Sequence, residues 1–190
     1  MAINILKSKL STPKPLGSAI ERQRLIEAVE EANQANLILL VAPAGYGKTT
    51  VAQQILDRKK SAARAWYHLD ASDANPVRFI TYLTEALGSM LPKFRRESAG
   101  ININHMIEDV CLAVEQYQGP EAYLVLDNWE CVDHIPDIAS IPPLLARSGQ
   151  GRLTVVIASR VSPSFKIRRE QARGTILLLD STQIAFSLSE

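Results

Sequence analysis

The chain has little cysteine, no long apolar run and almost no net charge, and each shortage narrows what it can be. Cys111 and Cys131 are the two cysteines among 190 residues. They are free to pair by count alone, but they form no metal-ligand spacing and no disulfide framework, so a reducing cytoplasm is the expected setting. His68, His105 and His134 have no partner ligands at metal spacing, and none reads as catalytic. No apolar stretch approaches the ~20 residues that cross a bilayer. The start, Met1 to Lys7, is too short in apolar length for a signal peptide. A net charge of +1 leaves no basic footprint for nucleic acid. The two basic clusters, Lys93-Phe94-Arg95-Arg96 and Lys166-Ile167-Arg168-Arg169, read as solvated faces. There is no internal repeat and no low-complexity segment.

What is present is a hydrophobic content of 46%, enough for one substantial core, and one stretch around which the rest is arranged. Leu37-Ile38-Leu39-Leu40-Val41 is followed by Ala42-Pro43-Ala44-Gly45-Tyr46-Gly47-Lys48-Thr49-Thr50 and then by a helix-like pattern from Val51 to Lys60. Strand, glycine-bearing loop, Lys-Thr and helix is the context of a phosphate-binding loop. Glycines let the backbone turn so that several N–H groups face inward, and the positive end of the helix dipole adds to them. Ala44, Gly45, Tyr46, Gly47, Lys48, Thr49 and Thr50 are the expected nucleotide contacts. In this role Lys48 reaches the β- and γ-phosphates and Thr49 ligates Mg²⁺. Ala42 departs from the general pattern, which has glycine there.

The remaining pattern is α/β. Residues 1–18 read as an extended arm, since Ser11, Thr12, Pro13, Pro15 and Gly17 disfavour a helix. Apolar periodicity predicts helices over 20–33, 77–91 (stopped by Pro92) and 107–117. Further strands are expected at 65–69, 122–126, 153–158 and 175–179. Their apolar runs are mostly continuous rather than alternating, as in strands covered on both faces, so a parallel sheet of about five strands with helices on both sides follows. Ligands of such sheets bind beyond the carboxyl ends of the strands, where Gly45, Asp127 and Arg160 all fall.

Asp127 ends an apolar run, the position of a Walker B acid holding Mg²⁺ with Thr49; a plain strand-end cap is the alternative. Asn128 stands where many P-loop ATPases carry an acid that polarises the attacking water. An amide orients a water but takes no proton, so slow hydrolysis is expected. Glu130 and Asp133 are the nearby substitutes. Arg160 is either a γ-phosphate contact or a surface arginine bonding loop carbonyls. Asp70, ending the second strand, either holds a water or the loop near the nucleotide or belongs to a plain helix start that Asp73 or Asn75 would cap equally well.

These residues together resemble the nucleotide-binding domain of the STAND class of signal-transduction NTPases. More narrowly, they are similar to the large ATP-binding LuxR-type regulators, the group of the bacterial maltose-regulon activator. The matching stretches are Ser8-Lys9-Leu10 with Pro13-Lys14-Pro15, Ile20 to Leu25, Ala42 to Thr50, Ala65 to Asp70, Asp73 with Arg78-Phe79 and Tyr82-Leu83, Tyr123 to Asp127, Leu153 to Arg160, Ala172-Arg173-Gly174, and Ile184 to Ser187. Pro43 to Thr50 is the most specific. The resemblance implies a P-loop NTPase fold of the ASCE type and ATP and ADP as on and off ligands. It also implies Arg22 on the adenine–ribose side and Arg160 as a sensor. The family often has Ala at position 42 but usually a second Asp at 128. It also implies that a lid, a helical-repeat sensor and a DNA-binding helix-turn-helix follow the nucleotide domain. Residues 19–190 are therefore expected to be that domain, excised from a longer regulator, without direct nucleic-acid or membrane contact and with nucleotide-dependent self-association open. A stand-alone ATPase or phosphotransferase, and a scaffold that no longer binds nucleotide, are the alternatives.

Overall fold

The computed structural model describes residues 3–14, 19–88, 90–91, 102–167 and 171–187. The cluster at 93–96, the stop at Pro92 and the arginines 168 and 169 lie outside these.

Five strands form one parallel sheet: β1 (Leu37–Val41), β2 (Ala63–His68), β3 (Ala122–Asp127), β4 (Leu153–Ser159) and β5 (Ile176–Leu179), in the spatial order β2-β3-β4-β1-β5. Because β4 lies between β1 and β3, this is the ASCE arrangement of the P-loop fold. Side chains along each strand point alternately to two faces, and both are buried. Leu37, Leu39, Tyr67, Leu124, Leu126, Val155 and Ile157 enter one core. Ile38, Leu40, Trp66, Val125, Val156 and Ala158 enter the other.

The helices divide between these faces. Helices α1 (Gln23–Glu31) and α2 (Lys48–Arg58) place Leu25, Val29, Val51, Ala52 and Ile55 in the second core. Helices α3 (Pro76–Gly88) and α4 (Ile103–Glu115) place Phe79, Ile80, Leu83, Met106 and Val110 in the first. Two short helices, α5 (Pro136–Ala139) and α6 (Ile141–Ser148), join that first layer. No element was expected over 136–148. Pro136, Pro142 and Pro143 sit in the first turns, where a missing N–H costs nothing. A last turn, α7 (Ser181–Ile184), is capped by Asp180.

Some boundaries differ from the sequence pattern. Helix α1 begins only at Gln23: Arg22 has a non-helical backbone, φ −95° and ψ 64°, and its N–H donates to Gln54 Oε1 at 2.9 Å. Asn75 rather than Asp73 caps α3, accepting from the Arg78 N–H at 3.0 Å. Both cysteines are free thiols. Among the described residues no helix is long and apolar enough to cross a membrane.

The arm is a packed strap with a 3₁₀ turn at Lys7–Leu10, which corrects the expectation of a wholly extended segment. The correction has a local cause. Lys9 is buried, and its ammonium lies 2.5 Å from Asp73 Oδ2 and 2.8 Å from Asp70 Oδ2. Asp73 is fully buried and also takes the Arg78 guanidinium at 3.2 Å and the Asp70 N–H at 3.0 Å. The Tyr82 hydroxyl accepts from the Leu6 N–H and donates to the Asn4 carbonyl, both at 3.1 Å. The hydrogen bonds from Lys9 and then Ser72 hold the Asp70 carboxyl down at about 2.

Lys9→Met removes one of the two cations on buried Asp73, leaving Arg78 and the Asp70 N–H, and we expect a loss of about 3 kcal/mol in urea denaturation, since taking a partner from a buried ion is costly. Because the folded Asp70 binds its proton more weakly than the ordinary 3.8, its contribution is present above that pH and fades as pH falls toward about 2. The native protein should therefore lose more stability across that window than Lys9→Met does.

Candidate functional site

The strand ends converge because the sheet is parallel and in register. Val41 pairs with Ser159, Asp127 with Ala158, and His68 with Asp127. The loop after β1, Arg160 after β4, Asp127 at the end of β3 and His68 at the end of β2 therefore share one edge of the sheet.

In the loop, Gly45 has φ +86° and Gly47 φ +80°, left-handed values that side chains rarely adopt. A Cβ at either would meet no atom within 4 Å, so these glycines answer a backbone requirement and not a shortage of space. Ala42 is different. It has no positive φ, and its methyl, 2% exposed, packs into the core beneath α2. The departure at position 42 thus suits both backbone and packing. Helix α2 starts at Gly47 with no side-chain cap and no acid in its first turn. The N–H groups there are those that a helix start offers to an anion.

Lys48 curls over the start of the loop, donating to the Ala42 carbonyl at 2.7 Å and the Pro43 carbonyl at 2.9 Å. Burial lowers its pKa, Glu130 opposes that, Arg160 adds to it, and Asp127 opposes it. The Thr49 hydroxyl lies 3.2 Å from both carboxylate oxygens of Asp127. Asp127 is 2% exposed and accepts the Asn128 N–H at 3.1 Å, while His68 Nδ1 lies 3.3 Å from its Oδ2. No lysine or arginine pairs with Asp127 among the described residues. A buried carboxylate without a cation partner, beside a hydroxyl and a ring of amides, fits a magnesium-bound polyphosphate.

The other expected residues are brought to the edge but engaged with one another. Asn128 is left-handed at φ 63°, a conformation asparagine tolerates better than most residues. Its amide nitrogen lies 3.2 Å from His68 Nε2. Glu130 accepts the Arg160 Nε–H at 2.9 Å and the Arg160 backbone N–H at 3.0 Å. Asp133 is tied to the Trp129 indole at 2.7 Å and to the Ser164 N–H at 2.9 Å, a structural position that removes it as a substitute base. Arg22, expected on the adenine–ribose side, is 2% exposed; its guanidinium donates to the carbonyls of Ile184 and Ala185 and stacks on Phe186 at 4.1 Å. In this structure it clasps the C-terminal turn.

Sequence reasoning passed over two features. His68 has no metal spacing in the sequence, and the signal it carries is its place at a strand end, two residues before Asp70. The second is a cavity of about 400 Å³ that runs along α2 from Thr50, lined by Ala19, Glu21, Gln53, Gln54 and Arg58.

Comparison with known proteins agrees with this architecture. The chain is 29% identical over 192 residues to the HTH-type transcriptional regulator MalT of Vibrio cholerae serotype O1, covering 97% of this chain and 21% of that protein. It is 31% identical over 194 residues to the HTH-type transcriptional regulator MalT of Yersinia pestis, covering 98% of this chain and 21% of the relative. The chain thus spans about one fifth of the length of these relatives. Among solved structures, Cdc6p from Pyrobaculum aerophilum shares the fold with a TM-score of 0.59 at 17% identity, covering 93% of this chain and 50% of that one. No protein-family profile matches the chain.

Gly45→Ala and Gly47→Ala should each lower thermal stability by about 1–2 kcal/mol, the cost of left-handed backbone for a residue with a Cβ. Gly88→Ala has open space and no positive φ, so its stability should not fall.

Proposed function

We propose that this chain is the nucleotide-binding switch module of a transcriptional regulator similar to MalT, binding Mg-ATP and Mg-ADP with slow or no hydrolysis. The observation that carries the reading is the meeting of the uncapped start of α2, the Lys48 ammonium and the Thr49–Asp127 pair at one sheet edge. The amides from Ala44 to Thr50 bind the phosphates. Lys48 exchanges its two loop carbonyls for phosphate oxygens, which are stronger acceptors because they are charged. Thr49 and Asp127 hold Mg²⁺, which when bound neutralises phosphate charge. The nucleoside lies at the Thr50 end of the α2 cavity, which Ala19, Glu21 and Arg58 also line. Arg22 lies near that nucleoside through its backbone, since Gln54 Oε1 accepts its N–H.

Hydrolysis is slow because Asn128, standing where many P-loop ATPases carry an acid, accepts no proton. Glu130, two residues further on, accepts the Arg160 backbone N–H as well as its side chain. A γ-phosphate that draws Arg160 toward itself loosens Glu130, so the presence or absence of that phosphate is read out through this pair. Differential contacts of this kind are what a switch needs. The regions that recognise an inducer and DNA belong to the rest of such a regulator. A dedicated ATPase or phosphotransferase is the competing function.

In thermal denaturation, Mg-ATP and Mg-ADP should each raise the melting temperature, as about 2.7 kcal/mol of stabilisation at a hundredfold excess over Kd. Lys48→Ala should abolish the shift; a shift that survives it refutes the phosphate-loop assignment. Asn128→Asp should raise a slow basal ATPase rate by on the order of 10²-fold if a missing base limits it. Turnover on the order of 1 s⁻¹ or more in the native chain supports the dedicated enzyme instead.

A further inference from the structure

His68 lies outside the roles assigned so far, and its surroundings are specific. It ends β2, the edge strand of the sheet, and its register partner on β3 is Asp127. Partners in register project to the same face, here the face of α2 and Thr49. Its side chain is 50% exposed, so it is not a core-filling residue. One ring nitrogen approaches the carboxylate and the other the amide next to it. Asp127 can only accept, so Nδ1 carries the hydrogen. Nε2 then presents its lone pair to Asn128 Nδ2, which donates. That same Nδ2 lies 3.5 Å from the Leu69 carbonyl, again an acceptor. One tautomer satisfies every partner, and among the described residues no hydrogen bond occupies Asn128 Oδ1.

We propose that His68 is a positioning residue for the magnesium site: it holds Asp127 by one carboxylate oxygen and Asn128 by its amide nitrogen, so that the second carboxylate oxygen and the amide oxygen are presented to the metal and its water. The proposal rests on the Mg-nucleotide reading above. Its physical content is that a carboxylate gripped by Thr49, the Asn128 N–H and an imidazole N–H has one orientation before the metal arrives. Loss of such an outer partner typically weakens metal binding by about 10–100-fold. Two partners contributed by β3 itself and α2 remain in its absence, so the low end of that range applies. Among the described residues no hydrogen bond joins His68 to the loop, and nucleotide binding without metal should be indifferent to it.

The test is isothermal titration of the whole chain with ATP, once with Mg²⁺ and once with EDTA. The ratio of the two dissociation constants measures the gain from magnesium. His68→Ala should reduce that gain by about 10-fold while leaving the EDTA affinity unchanged. His68→Asn, whose amide nitrogen takes the place of Nδ1, should recover most of it. The assignment is overturned if His68→Ala keeps the native gain, or if His68→Asn falls as far as His68→Ala. If the native chain binds ATP no better than Lys48→Ala in either condition, the nucleotide reading itself has failed and this assignment with it. A native gain that His68→Ala leaves intact defeats the role of His68 alone.

Discussion

The contact between the Thr49 hydroxyl and the Asp127 carboxylate is where the constraints on this sheet edge meet. It joins the first turn of α2 to the end of β3 across the intervening β4. Neither partner could be placed there by local structure alone. The in-register pairing of β1 with β4 and of β4 with β3 sets the strand ends level. Val51, Ala52 and Ile55 seat α2 on Val125, Val156 and Ala158, which fixes how far its first turn lies from β3. Apolar packing thus positions a hydroxyl and a buried charge to within a hydrogen bond of each other, and the glycine loop has only to bridge β1 and α2.

Around that contact, departures from common P-loop residues have local physical causes. Ala42 is accommodated because its backbone is ordinary and its methyl has a core to enter. Asn128 combines a left-handed backbone with an amide between His68 and Leu69. Its identity therefore answers a conformational demand as well as a chemical one. Glu130 and Arg160 neutralise each other across 30 residues of sequence.

Both ends of the domain are held by cations turned inward. Lys9 inserts into the acidic pair Asp70 and Asp73, directly below the strand end that carries His68. Arg22 and Arg24 donate to carbonyls between Gln183 and Ala185, and Phe186 covers the Arg22 guanidinium. A buried ion that loses its partner is expensive, so such clamps specify a geometry more than they add stability. The arm is thereby coupled to β2, and the C-terminal turn to the start of α1.

The sheet was legible in the sequence because strands covered on both faces must be apolar almost throughout, and the loop because its spacing answers to phosphate chemistry. Asp127 and Arg160 were legible for the same reason, each standing just where an apolar run stops. Helices α5 and α6 were not legible, because they are short and begin with prolines, which serve a first turn and a break alike. What only tertiary structure decided are the pairings across strands and between distant segments: His68 against Asp127, Glu130 against Arg160, Lys9 in its acidic pocket, Arg22 on the C-terminal turn. Composition and periodicity determine which faces are buried. Which charge meets which other depends on register and strand order, and those are properties of the assembled sheet.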